Sequence, residues 1–390
     1  MSTVPLNAAL LCGGSPIDSR IVHVAFDPQT FSLQEYGGVS RYFTDTASSL
    51  ARLPATEVTI LAFAHFNAHL MGAPQTLVKG WAIPVLPSPA RRPLVRVNQA
   101  FARAWLARHP VDIVHETYYS AVRTAPPGPP VVLTVFDMIH EKFPGYAPRT
   151  ARIVRLKRAA IQRADHLICI SENTRRDLLE LYDVDPARTS VVTLGFSQPS
   201  SSEESLPRPH VEPYLLFVGT RGGYKDFAVL LRAYASSSQL RREFVLACFG
   251  DAPLSPAELQ SIDLLGIPRE RVRHASGGDD LLAAHYRHAA LLVYPSRYEG
   301  FGMPPLEAMA RDCPVVCANA ASLPEVVGEA ARLFEPGDAI GLRAAMEAVL
   351  GSSTEAAALR KKGRARAGEF SWEICAQQTR AAYERALKHR

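Results

Sequence analysis

The sequence contains no long apolar run, and its six cysteines form no recognisable metal-ligand or disulfide pattern. No segment of the 390 residues reaches the roughly 18 to 20 consecutive apolar residues that a membrane-spanning helix requires. Cys313 and Cys317 lie four residues apart, but no second cysteine pair or nearby histidine completes a set of metal ligands. Four of the six cysteines lie within apolar, strand-like runs. We therefore expect reduced cysteines that are buried in the core.

Motifs of two other functional classes are also missing. The apolar stretch Leu6–Cys12 is too short for a signal peptide and no basic residue precedes it, so we expect a cytoplasmic protein. The segment from Ile21 to Gly38 lacks the Gly-x-Gly-x-x-Gly turn that follows the first strand of dinucleotide-binding domains. This absence argues against an oxidoreductase or an epimerase. The missing export signal argues against an exported, non-catalytic sugar-binding protein.

Acidic residues are absent from a long basic segment of the first half. None occurs from Val58 to Val111, and the basic residues of that segment are Lys79, Arg91, Arg92, Arg96, Arg103 and Arg108. Residues 1–200 carry 20 Lys and Arg against 15 Asp and Glu, whereas residues 201–390 carry 23 of each kind. A basic surface would also suit nucleic acid, but no recognised nucleic-acid-binding motif is present, so we expect no such partner.

Short apolar runs alternate with helical patterns along the whole chain. The predicted strands are apolar throughout, as parallel strands buried on both faces are. They fall at Ile21–Phe26, Val58–Phe63, Ile113–His115, Val131–Phe136, Leu167–Ile170, Ser190–Thr193, Tyr214–Val218, Phe244–Phe249, Val272–His274, Leu291–Tyr294 and Val315–Cys317. The helical patterns fall at Ser40–Leu53, Val95–Arg108, Arg152–Arg163, Asn173–Tyr182, Phe227–Tyr234, Asp280–Ala289, Pro305–Arg311, Ile340–Leu350, Thr354–Gly368 and Trp372–Lys388.

This alternation predicts an α/β fold with two doubly wound domains. The segment Ser197–Pro213 is rich in Ser, Pro and Glu and predicts an exposed linker between them. We expect the domains to be residues 1–200 and 201–371, followed by a last helix within 372–390. Parallel sheets bind ligands at the carboxyl ends of their strands. The functional residues should therefore follow strands and face a cleft between the domains.

The segment Tyr294–Arg311 carries the strongest functional pattern. Gly300 and Gly302 allow a ligand to approach the backbone, and the helix N-terminus that follows favours an anion. Glu299 in the loop and Glu307 in the first turn of the helix are eight residues apart, and a carboxylate can accept two hydrogen bonds from a diol. An anion with a diol on each side describes a nucleotide sugar. The alternative is a plain strand–turn–helix with a glutamate at the helix start.

The segment Leu216–Phe227 places two cations directly after a strand. It contains Arg221, a pair of glycines and Lys225. Arginine and lysine suit a pyrophosphate, whose charge must be neutralised when it departs. The alternative is a solvated turn with two surface cations. Because both segments follow strands of the same predicted sheet, together they favour a diphosphate site.

These residues resemble the retaining GT-B glycosyltransferases of family 4, which build polysaccharides, lipopolysaccharides and glycolipids. The stretch EGFGMPPLE is the most specific element of the resemblance, and FVGTRGGYKDF, ADHLICISENTRRDLL and ASLPEVVGEAARLFEPGD match comparable segments. The resemblance extends from YGGVSRYF to the final helix. It implies a GT-B fold, in which two Rossmann-like domains face a cleft. It also implies that the second domain holds the donor and that the last helix packs back on the first domain.

The resemblance implies donor-binding and catalytic roles in the second domain. Lys225 is expected to contact the diphosphate, with Arg221 as its basic partner because Tyr224 occupies the position before the lysine. Glu299 is expected at the hydroxyls of the transferred sugar and Glu307 at the ribose hydroxyls. The remaining donor contacts implied are backbone groups of Gly300, Phe301 and Gly302 for the diphosphate and sugar, and Gly250 with His274–Gly278 for the base.

In the first domain the resemblance implies contacts from the opposite wall of the cleft. Gly37 and Gly38 form a loop that would approach the diphosphate and sugar, although two glycines alone indicate only a turn. Many family members have a histidine at the position of Phe136, directly before Asp137. We expect His140 or Asp137 to replace that histidine in catalysis, unless the contact is absent.

Ser171 and Arg175 follow another predicted strand of the first domain. A contact with the acceptor or a phosphate and, for Ser171, a helix N-cap are equal alternatives. The helix Val95–Arg108 mixes apolar residues with arginines, as does a second basic cluster at Arg152–Arg163. Such helices suit an anionic membrane surface. The alternative is a solvated face whose arginine stems cover the core.

The resemblance also implies a reaction. We expect a retaining, front-face transfer in which the departing diphosphate helps to deprotonate the acceptor hydroxyl, with no metal ion and no cofactor. GDP-mannose is the first expected donor, with UDP- and dTDP-sugars as alternatives. The expected acceptor is a lipid-linked sugar or a growing glycan. A non-catalytic sugar-nucleotide-binding protein is the alternative outside enzymes.

Overall fold

The computed structural model describes residues 20–145, 150–250 and 252–388, which form two parallel β-sheets covered by helices. The strands of the first sheet are β1 (Val22–Phe26), β2 (Thr56–His65), β3 (Val78–Ala82), β4 (Ile113–Glu116), β5 (Val131–Val135), β6 (His166–Cys169) and β7 (Thr189–Val191). They pair in the order β3-β2-β1-β4-β5-β6-β7, and every neighbouring pair is parallel. The order reverses between β1 and β4, as in doubly wound domains.

The second sheet is built in the same way. Its strands are β8 (Tyr214–Val218), β9 (Val245–Phe249), β10 (Val272–Ala275), β11 (Leu291–Tyr294), β12 (Val315–Ala318) and β13 (Arg332–Phe334). They pair in parallel in the order β10-β9-β8-β11-β12-β13. The strands β8 and β11 are therefore central neighbours, although 72 residues separate Val218 from Leu291 in the sequence.

Helices cover both faces of each sheet. Those of the first domain are α1 (Gln29–Leu33), α2 (Gly38–Leu50), α3 (Ala68–Gly72), α4 (Ser88–Leu106), α5 (Ile139–Lys142), α6 (Thr150–Arg163) and α7 (Glu172–Leu181). Those that follow are α8 (Phe227–Ala235), α9 (Ser238–Glu243), α10 (Pro256–Leu264), α11 (Asp279–His288), α12 (Met303–Met309), α13 (Leu323–Val327), α14 (Ala339–Gly351), α15 (Ser353–Ala367) and α16 (Trp372–Lys388).

The predicted α/β class with two Rossmann-like domains is confirmed. Every residue of β5, β8, β9, β11 and β12 is buried, as expected for strands covered on both faces. Cys169, Cys248, Cys313, Cys317 and Cys375 are free and buried, in agreement with the prediction of reduced core cysteines. Cys12 and the stretch Leu6–Cys12 lie outside the described residues.

The sequence patterns missed two of the four edge strands, β3 and β13. Neither reads as an apolar run, because β3 contains Gly80 and is largely exposed, and β13 has only three residues. The predicted start of the helix at Val95 was also wrong, since α4 begins at Ser88 and contains Pro93. Pro93 is the sixth residue of α4 and has no N–H to donate to the carbonyl of Pro89, so the first turn lacks this hydrogen bond.

The segment Ser197–Pro213 is largely exposed, as its composition predicts, but part of it is held against the second domain. Residues Ser201–Ser205 form a 3-10 helix, and the Glu203 carboxylate accepts hydrogen bonds from Arg311 at 2.7 and 3.1 Å. Both side chains of this pair are more than four-fifths buried. The linker is thus fastened to the second domain beside the C-terminal end of α12.

The last helix, α16, returns to the first domain and packs against α2. The Tyr383 hydroxyl lies 2.7 Å from Nδ1 of His115, which is buried in β4, and Gln378 Oε1 accepts a hydrogen bond from the backbone of Thr193. A second contact joins the domains at α7. There the Glu325 carboxylate accepts hydrogen bonds of 3.0 Å from the backbone N–H groups of Glu172 and Asn173. A carboxylate at a helix N-terminus is favoured by the helix dipole.

Candidate functional site

The carboxyl ends of β8 and β11 carry the two motifs that the sequence singled out. A short loop after β8 leads into the 3-10 turn Gly223–Lys225, and residues 295–302 connect β11 to α12. Because the two strands are paired neighbours, their following loops lie side by side. The backbone N–H of Arg297 donates to the carbonyl of Tyr224 at 2.7 Å, which joins the loops directly.

The structure brings Lys225 and Glu299 together. The Lys225 ammonium donates to Glu299 Oε1 at 2.6 Å and to the Tyr294 hydroxyl at 2.8 Å. Burial and the neighbouring Glu299 carboxylate raise the pKa of Tyr294 well above its ordinary value, so its hydroxyl keeps its proton. The lysine and the glutamate neutralise each other in the absence of a ligand. A diphosphate could compensate the charge of Lys225, and hydroxyl groups could donate hydrogen bonds to the Glu299 carboxylate.

Gly300 and Gly302 shape the loop after Glu299. A Cβ atom at Gly300 would lie 1.9 Å from the carbonyl oxygen of Phe136 in the first domain, so only glycine permits this close approach. Gly302 has a φ of +127° and is the N-cap of α12. The Ser322 hydroxyl donates to the carbonyls of Glu299 and Phe301 at 2.9 and 2.6 Å. The Phe301 ring is buried against Phe370, which leaves only its backbone for a ligand.

Glu307 lies deeper than the sequence predicted. We expected it in the first helical turn, but α12 begins at Met303, so Glu307 is the fifth residue and lies in the second turn. Its Oε2 accepts a hydrogen bond of 2.9 Å from the Tyr286 hydroxyl. Burial raises the pKa of Glu307. The carboxylate lines a cavity of about 210 Å³ whose wall includes Arg41 of the first domain and Arg311.

The Arg221 guanidinium is bound by a carboxylate and by two backbone carbonyls. Its Nε donates to Glu258 Oε1 at 2.8 Å, and its Nη2 donates to the carbonyls of Ala252 and Pro253 at 2.7 Å each. Of the Arg221 atoms, Nη1 lies nearest to Gly250, at 4.0 Å from the position that a Cβ would take there. Most donors of this guanidinium are thus committed within the protein.

A larger cleft of about 1020 Å³ lies between the domains. Gly37 and Gly38 line it from the first domain, and Gly277, Gly278, Asp279 and Asp280 line it from the second. His274, in the stretch predicted to meet the base, is joined to the Gly250 carbonyl at 2.7 Å through its Nε2. Loops of both domains therefore border this part of the cleft.

Phe136 packs as an apolar core residue in the place of the family histidine. Its ring makes edge contacts with Tyr42 and Phe43 at centroid distances of 5.3 and 5.8 Å. Asp137 lies beside the loop of residues 295–302, since its Cβ is 3.1 Å from the position that a Cβ would take at Gly300. Burial lowers the pKa of His140, whose Nδ1 is buried without a hydrogen-bond partner. Of the two residues expected to replace the histidine, Asp137 and His140, the geometry brings Asp137 nearer to Gly300.

Ser171 and Arg175 are engaged within the first domain. The Ser171 hydroxyl accepts the backbone N–H of Thr174 at 3.0 Å and is the N-cap of α7. Arg175 Nε donates to the Thr189 hydroxyl on the edge strand β7 at 2.8 Å. Of the two roles that the sequence left open for Ser171, the structure shows the cap.

In the described part of the chain, no group of three or more His, Cys, Asp and Glu side chains could hold a metal ion. The sequence does contain one Asp-x-Asp pair, Asp183 and Asp185, but the Asp185 carboxylate caps the 3-10 turn Pro186–Arg188.

Several tyrosines of the site were missed by sequence reasoning. Tyr294 and Tyr224 lie within the quoted motifs, but the motifs gave them no role. Tyr286 is 21 residues from Glu307, and no spacing rule connects a helix to a carboxylate at that separation. Tyr298 reaches across to the first domain, and only the three-dimensional fold reveals this contact.

Comparison with known proteins relates this site to a family. A family model described as "Glycosyl transferases group 1" matches residues 200–366, and one described as "Glycosyltransferase Family 4" matches residues 36–197. The chain belongs to glycosyltransferase family 4. Its two Rossmann-like domains and the cleft between them are the GT-B arrangement.

This glycosyltransferase is similar to several mannosyltransferases. It is 31% identical over 265 residues to O-antigen chain mannosyltransferase B of Escherichia coli, a match that covers 65% of this chain and 70% of that protein. It is 34% identical over 241 residues to MMP alpha-(1->4)-mannosyltransferase of Mycolicibacterium hassiacum, covering 60% and 57%. The match to the serotype-specific mannosyltransferase WbdA of E. coli spans only 30% of WbdA.

Solved structures share the fold of this glycosyltransferase. Sucrose-phosphate synthase from Thermosynechococcus elongatus superposes with a TM-score of 0.70 at 20% identity, covering 94% of this chain and 98% of that one. Anabaena HepE in complex with UDP-glucose gives 0.67 at 18% identity, covering 92% and 98%. No helix in residues 20–145, 150–250 and 252–388 is long and apolar enough to cross a membrane.

Proposed function

We propose that this family 4 glycosyltransferase transfers a mannose-like hexose from GDP-mannose to a hydroxyl of a lipid-linked or polymeric glycan, with retention of anomeric configuration, in the synthesis of a surface polysaccharide. The Lys225–Glu299 ion pair at the ends of β8 and β11 carries the proposal. It holds a cation for a diphosphate and a carboxylate for sugar hydroxyls within 2.6 Å of each other. The mannosyltransferases among the relatives support the sugar and the pathway.

The proposed reaction takes place on one face of the sugar. The bond between the anomeric carbon and the diphosphate oxygen breaks, and the acceptor oxygen bonds to that carbon from the same face. The acceptor proton moves to an oxygen of the departing diphosphate. Lys225, released from Glu299 when the donor binds, neutralises the charge that develops on the diphosphate. Glu299 then accepts hydrogen bonds from the transferred sugar.

We further propose that lysine and arginine side chains, rather than a metal ion, supply the positive charge for the diphosphate. Lys225 is the nearest such group to Glu299, and Arg221 lies beside Gly250. Activity should therefore be unchanged by EDTA. A loss of activity in EDTA that Mg²⁺ or Mn²⁺ restores would contradict this part of the proposal.

Two carboxylates in the cleft support guanine as the base. Asp279 and Asp280 begin α11 directly after the stretch His274–Gly278 that is expected to meet the base. Guanine presents two adjacent donors, N1–H and the N2 amino group, to a carboxylate that can accept both. Uracil presents a single N–H between two carbonyl oxygens. A carboxylate repels these oxygens because both groups are negative or partly negative. The acidic pair therefore favours GDP over UDP or dTDP.

A thermal-shift panel of GDP, UDP, dTDP and ADP tests the donor. A ligand that binds only the folded protein raises its stability, by about 2.7 kcal/mol at one hundred times the dissociation constant. We expect selective stabilisation by GDP. The double variant Asp279→Asn/Asp280→Asn should weaken GDP more than UDP. Selective stabilisation by UDP or dTDP would replace the donor, and no response to any nucleotide would contradict the proposed function.

Turnover then distinguishes an enzyme from a binding protein. Incubation of the protein with GDP-mannose and a glycan acceptor should release GDP and form an α-mannoside, identified by NMR of the anomeric proton. The Glu299→Gln variant is the matched control, since it keeps the size of the side chain and removes its charge. An inverted product would contradict retention. A wild-type protein that binds GDP and transfers nothing would instead be a sugar-nucleotide-binding protein.

The first domain carries a surface that suits an anionic membrane. We propose that the enzyme acts at the cytoplasmic face of a membrane through this surface. Trp81 on the edge strand β3 and Val97 and Phe101 on α4 are between 51% and 66% exposed. Arg92 and Arg96 are exposed on the same helix. Apolar side chains flanked by arginines are typical of interfacial helices.

Arg91, which the sequence added to this cluster, lies inward. Its guanidinium donates to the carbonyls of Leu86 and Leu33 and lies 4.9 Å from the Phe66 ring centroid. The test is therefore sedimentation of Arg92→Glu/Arg96→Glu with anionic vesicles. The control is Lys361→Glu/Arg287→Glu, which changes the net charge equally on exposed sites of the second domain. Only the first variant should lose pelleting, and equal pelleting of wild type and both variants would exclude the membrane surface.

A further inference from the structure

Two tyrosines of the second domain are buried in the core of the first. Tyr224 and Tyr298 are 7% and 4% exposed and belong to the apolar cluster formed by Met138, Ile139 and their neighbours. Each directly precedes a charged residue of the donor site. Tyr224 precedes Lys225, and Tyr298 precedes Glu299.

The Tyr298 hydroxyl is held by polar groups of the first domain. It donates to Asp177 Oδ2 at 2.6 Å and accepts the backbone N–H of Met138 at 3.2 Å. Both hydrogen-bonding functions of this hydroxyl are therefore used across the domain boundary. Burial and the Asp177 carboxylate raise the pKa of Tyr298, so the hydroxyl remains the donor.

Asp177 is itself held by two residues of the first domain. Its carboxylate is 3% exposed, lies 2.7 Å from the Lys142 ammonium through Oδ1, and accepts a hydrogen bond of 2.9 Å from Asn173 through Oδ2. Asp177 lies on α7, whose Thr174 hydroxyl also donates to the carbonyl of Gly300 at 3.3 Å. One helix of the first domain, α7, thus holds the loop of residues 295–302 on both sides of Glu299, at Tyr298 and at Gly300.

We propose that Asp177 and Tyr298 are positioning residues, through which the first domain sets the place of Glu299 and of its partner Lys225. Consecutive Cα atoms are about 3.8 Å apart, so a shift of the Tyr298 ring is passed on to Glu299. The loops move together because Arg297 joins them, by its backbone to Tyr224 and by its guanidinium to Asp226 at 2.6 Å. The donor site is therefore complete only when the two domains are in contact.

This inference rests on the proposed transfer reaction, and its test separates the two. Tyr298→Phe removes the bond to Asp177 and keeps the ring in the core. A misplacement of about 1 Å costs about 100-fold in rate, so we expect kcat to fall about 10- to 100-fold. The dissociation constant of GDP, measured by calorimetry, should rise by a smaller factor than kcat falls, because the variant removes no group expected to contact the nucleotide and only displaces Lys225. A residue that acts only on stability would lower the melting temperature and leave the kcat of the folded enzyme unchanged.

Two further variants make the test specific. Asp177→Asn should reduce kcat like Tyr298→Phe, and the double variant should lose no more than either single one, because residues that act as a unit are non-additive. Glu325→Gln weakens a contact across the domains that does not involve residues 295–302, at the start of α7, and should leave kcat unchanged. An unchanged kcat in Tyr298→Phe, additive losses, or an equal loss in Glu325→Gln would overturn the positioning role. A wild-type protein that does not bind GDP would contradict the proposed donor instead.

Discussion

The Lys225 ammonium and the Glu299 carboxylate lie 2.6 Å apart, although 73 residues separate them in the sequence. Both side chains are about nine-tenths buried. A buried pair of this kind is costly to break by removing one partner, because the other charge is left without compensation. In a donor complex the same two charges would be separated by the ligand that they bind.

Removal of the Lys225 charge should therefore affect both the stability of the fold and the reaction. We expect Lys225→Ala to lower kcat/KM about 100- to 1000-fold, the loss typical of removing one group that stabilises a developing negative charge. Lys225→Arg keeps the charge and should lose less. Steady-state kinetics with GDP-mannose measures both variants. A kcat/KM within threefold of wild type for Lys225→Ala would contradict the role of this lysine.

A methyl group at position 300 should push the two domains apart. The new Cβ of Gly300→Ala would lie 1.9 Å from the Phe136 carbonyl oxygen, and overpacking a close contact costs about 1 to 3 kcal/mol. We expect a lower free energy of unfolding in urea together with a loss of transfer activity. Gly351→Ala is the control, since no atom lies within 4 Å of its added Cβ. Equal free energies of unfolding for the two variants would show that the contact between Gly300 and Phe136 can widen at little cost.

His115 should make the protein sensitive to acid. Burial lowers its pKa to about 3, from an ordinary value of 6.5. Below pH 6.5 the unfolded chain binds a proton that the folded protein excludes, so the free energy of unfolding falls as the pH decreases towards 3. Each pH unit between two pKa values corresponds to about 1.4 kcal/mol, which makes the full loss on the order of 5 kcal/mol.

A variant without this imidazole tests the assignment. Urea unfolding of wild type and His115→Gln between pH 7 and pH 4 should give curves that converge as the pH falls, because only the wild type loses the imidazole contribution. The variant should be less stable at pH 7, where the contacts of His115 with Tyr383 and Thr134 are intact. Parallel curves would mean that other groups carry the acid sensitivity.

Glu307 should lower the free energy of unfolding and strengthen the binding of the donor. Burial raises its pKa, so the unfolded chain releases this proton at a lower pH than the folded protein does. The ionised carboxylate therefore costs stability at neutral pH, and Glu307→Gln should be as stable as wild type or more stable at pH 7. The same variant should bind GDP about tenfold more weakly, since a hydrogen bond to a charged group contributes about 1.5 to 3 kcal/mol. Calorimetry measures the affinity, and unchanged GDP binding would exclude Glu307 from the ribose site.

The central strands and the second-domain motifs were accessible from sequence because their signal is local. The strand Tyr214–Val218 and the helix Trp372–Lys388 have the bounds that the sequence predicted, since an apolar run and a long amphipathic pattern each end at clear polar boundaries. The Lys225–Glu299 pair needed one more fact, the pairing of β8 with β11. Strand order is a property of the folded chain and leaves no local pattern.

Contacts between the domains were beyond the reach of sequence reasoning. Tyr298 and Asp177 are 121 residues apart, and each is an ordinary member of its own motif. The inward orientation of Arg91 and the fastening of Glu203 to Arg311 likewise depend on distant partners, so composition alone assigned both residues to the surface. Exposed side chains and linkers are the features on which tertiary packing most easily overrides a compositional signal.

The return of α16 to the first domain has a consequence for biosynthesis. Tyr42 and Phe43 on α2 belong to the cluster that Cys375 and Tyr383 complete, and the Tyr383 ring also contacts His115 on β4. This core therefore lacks one of its walls until residues 372–388 leave the ribosome. At about 5 to 20 residues per second, the 180 residues between β7 and α16 take roughly 10 to 40 s to synthesise. During that interval the nascent first domain exposes an apolar groove of the shape of one helix, which is the surface that a chaperone would cover.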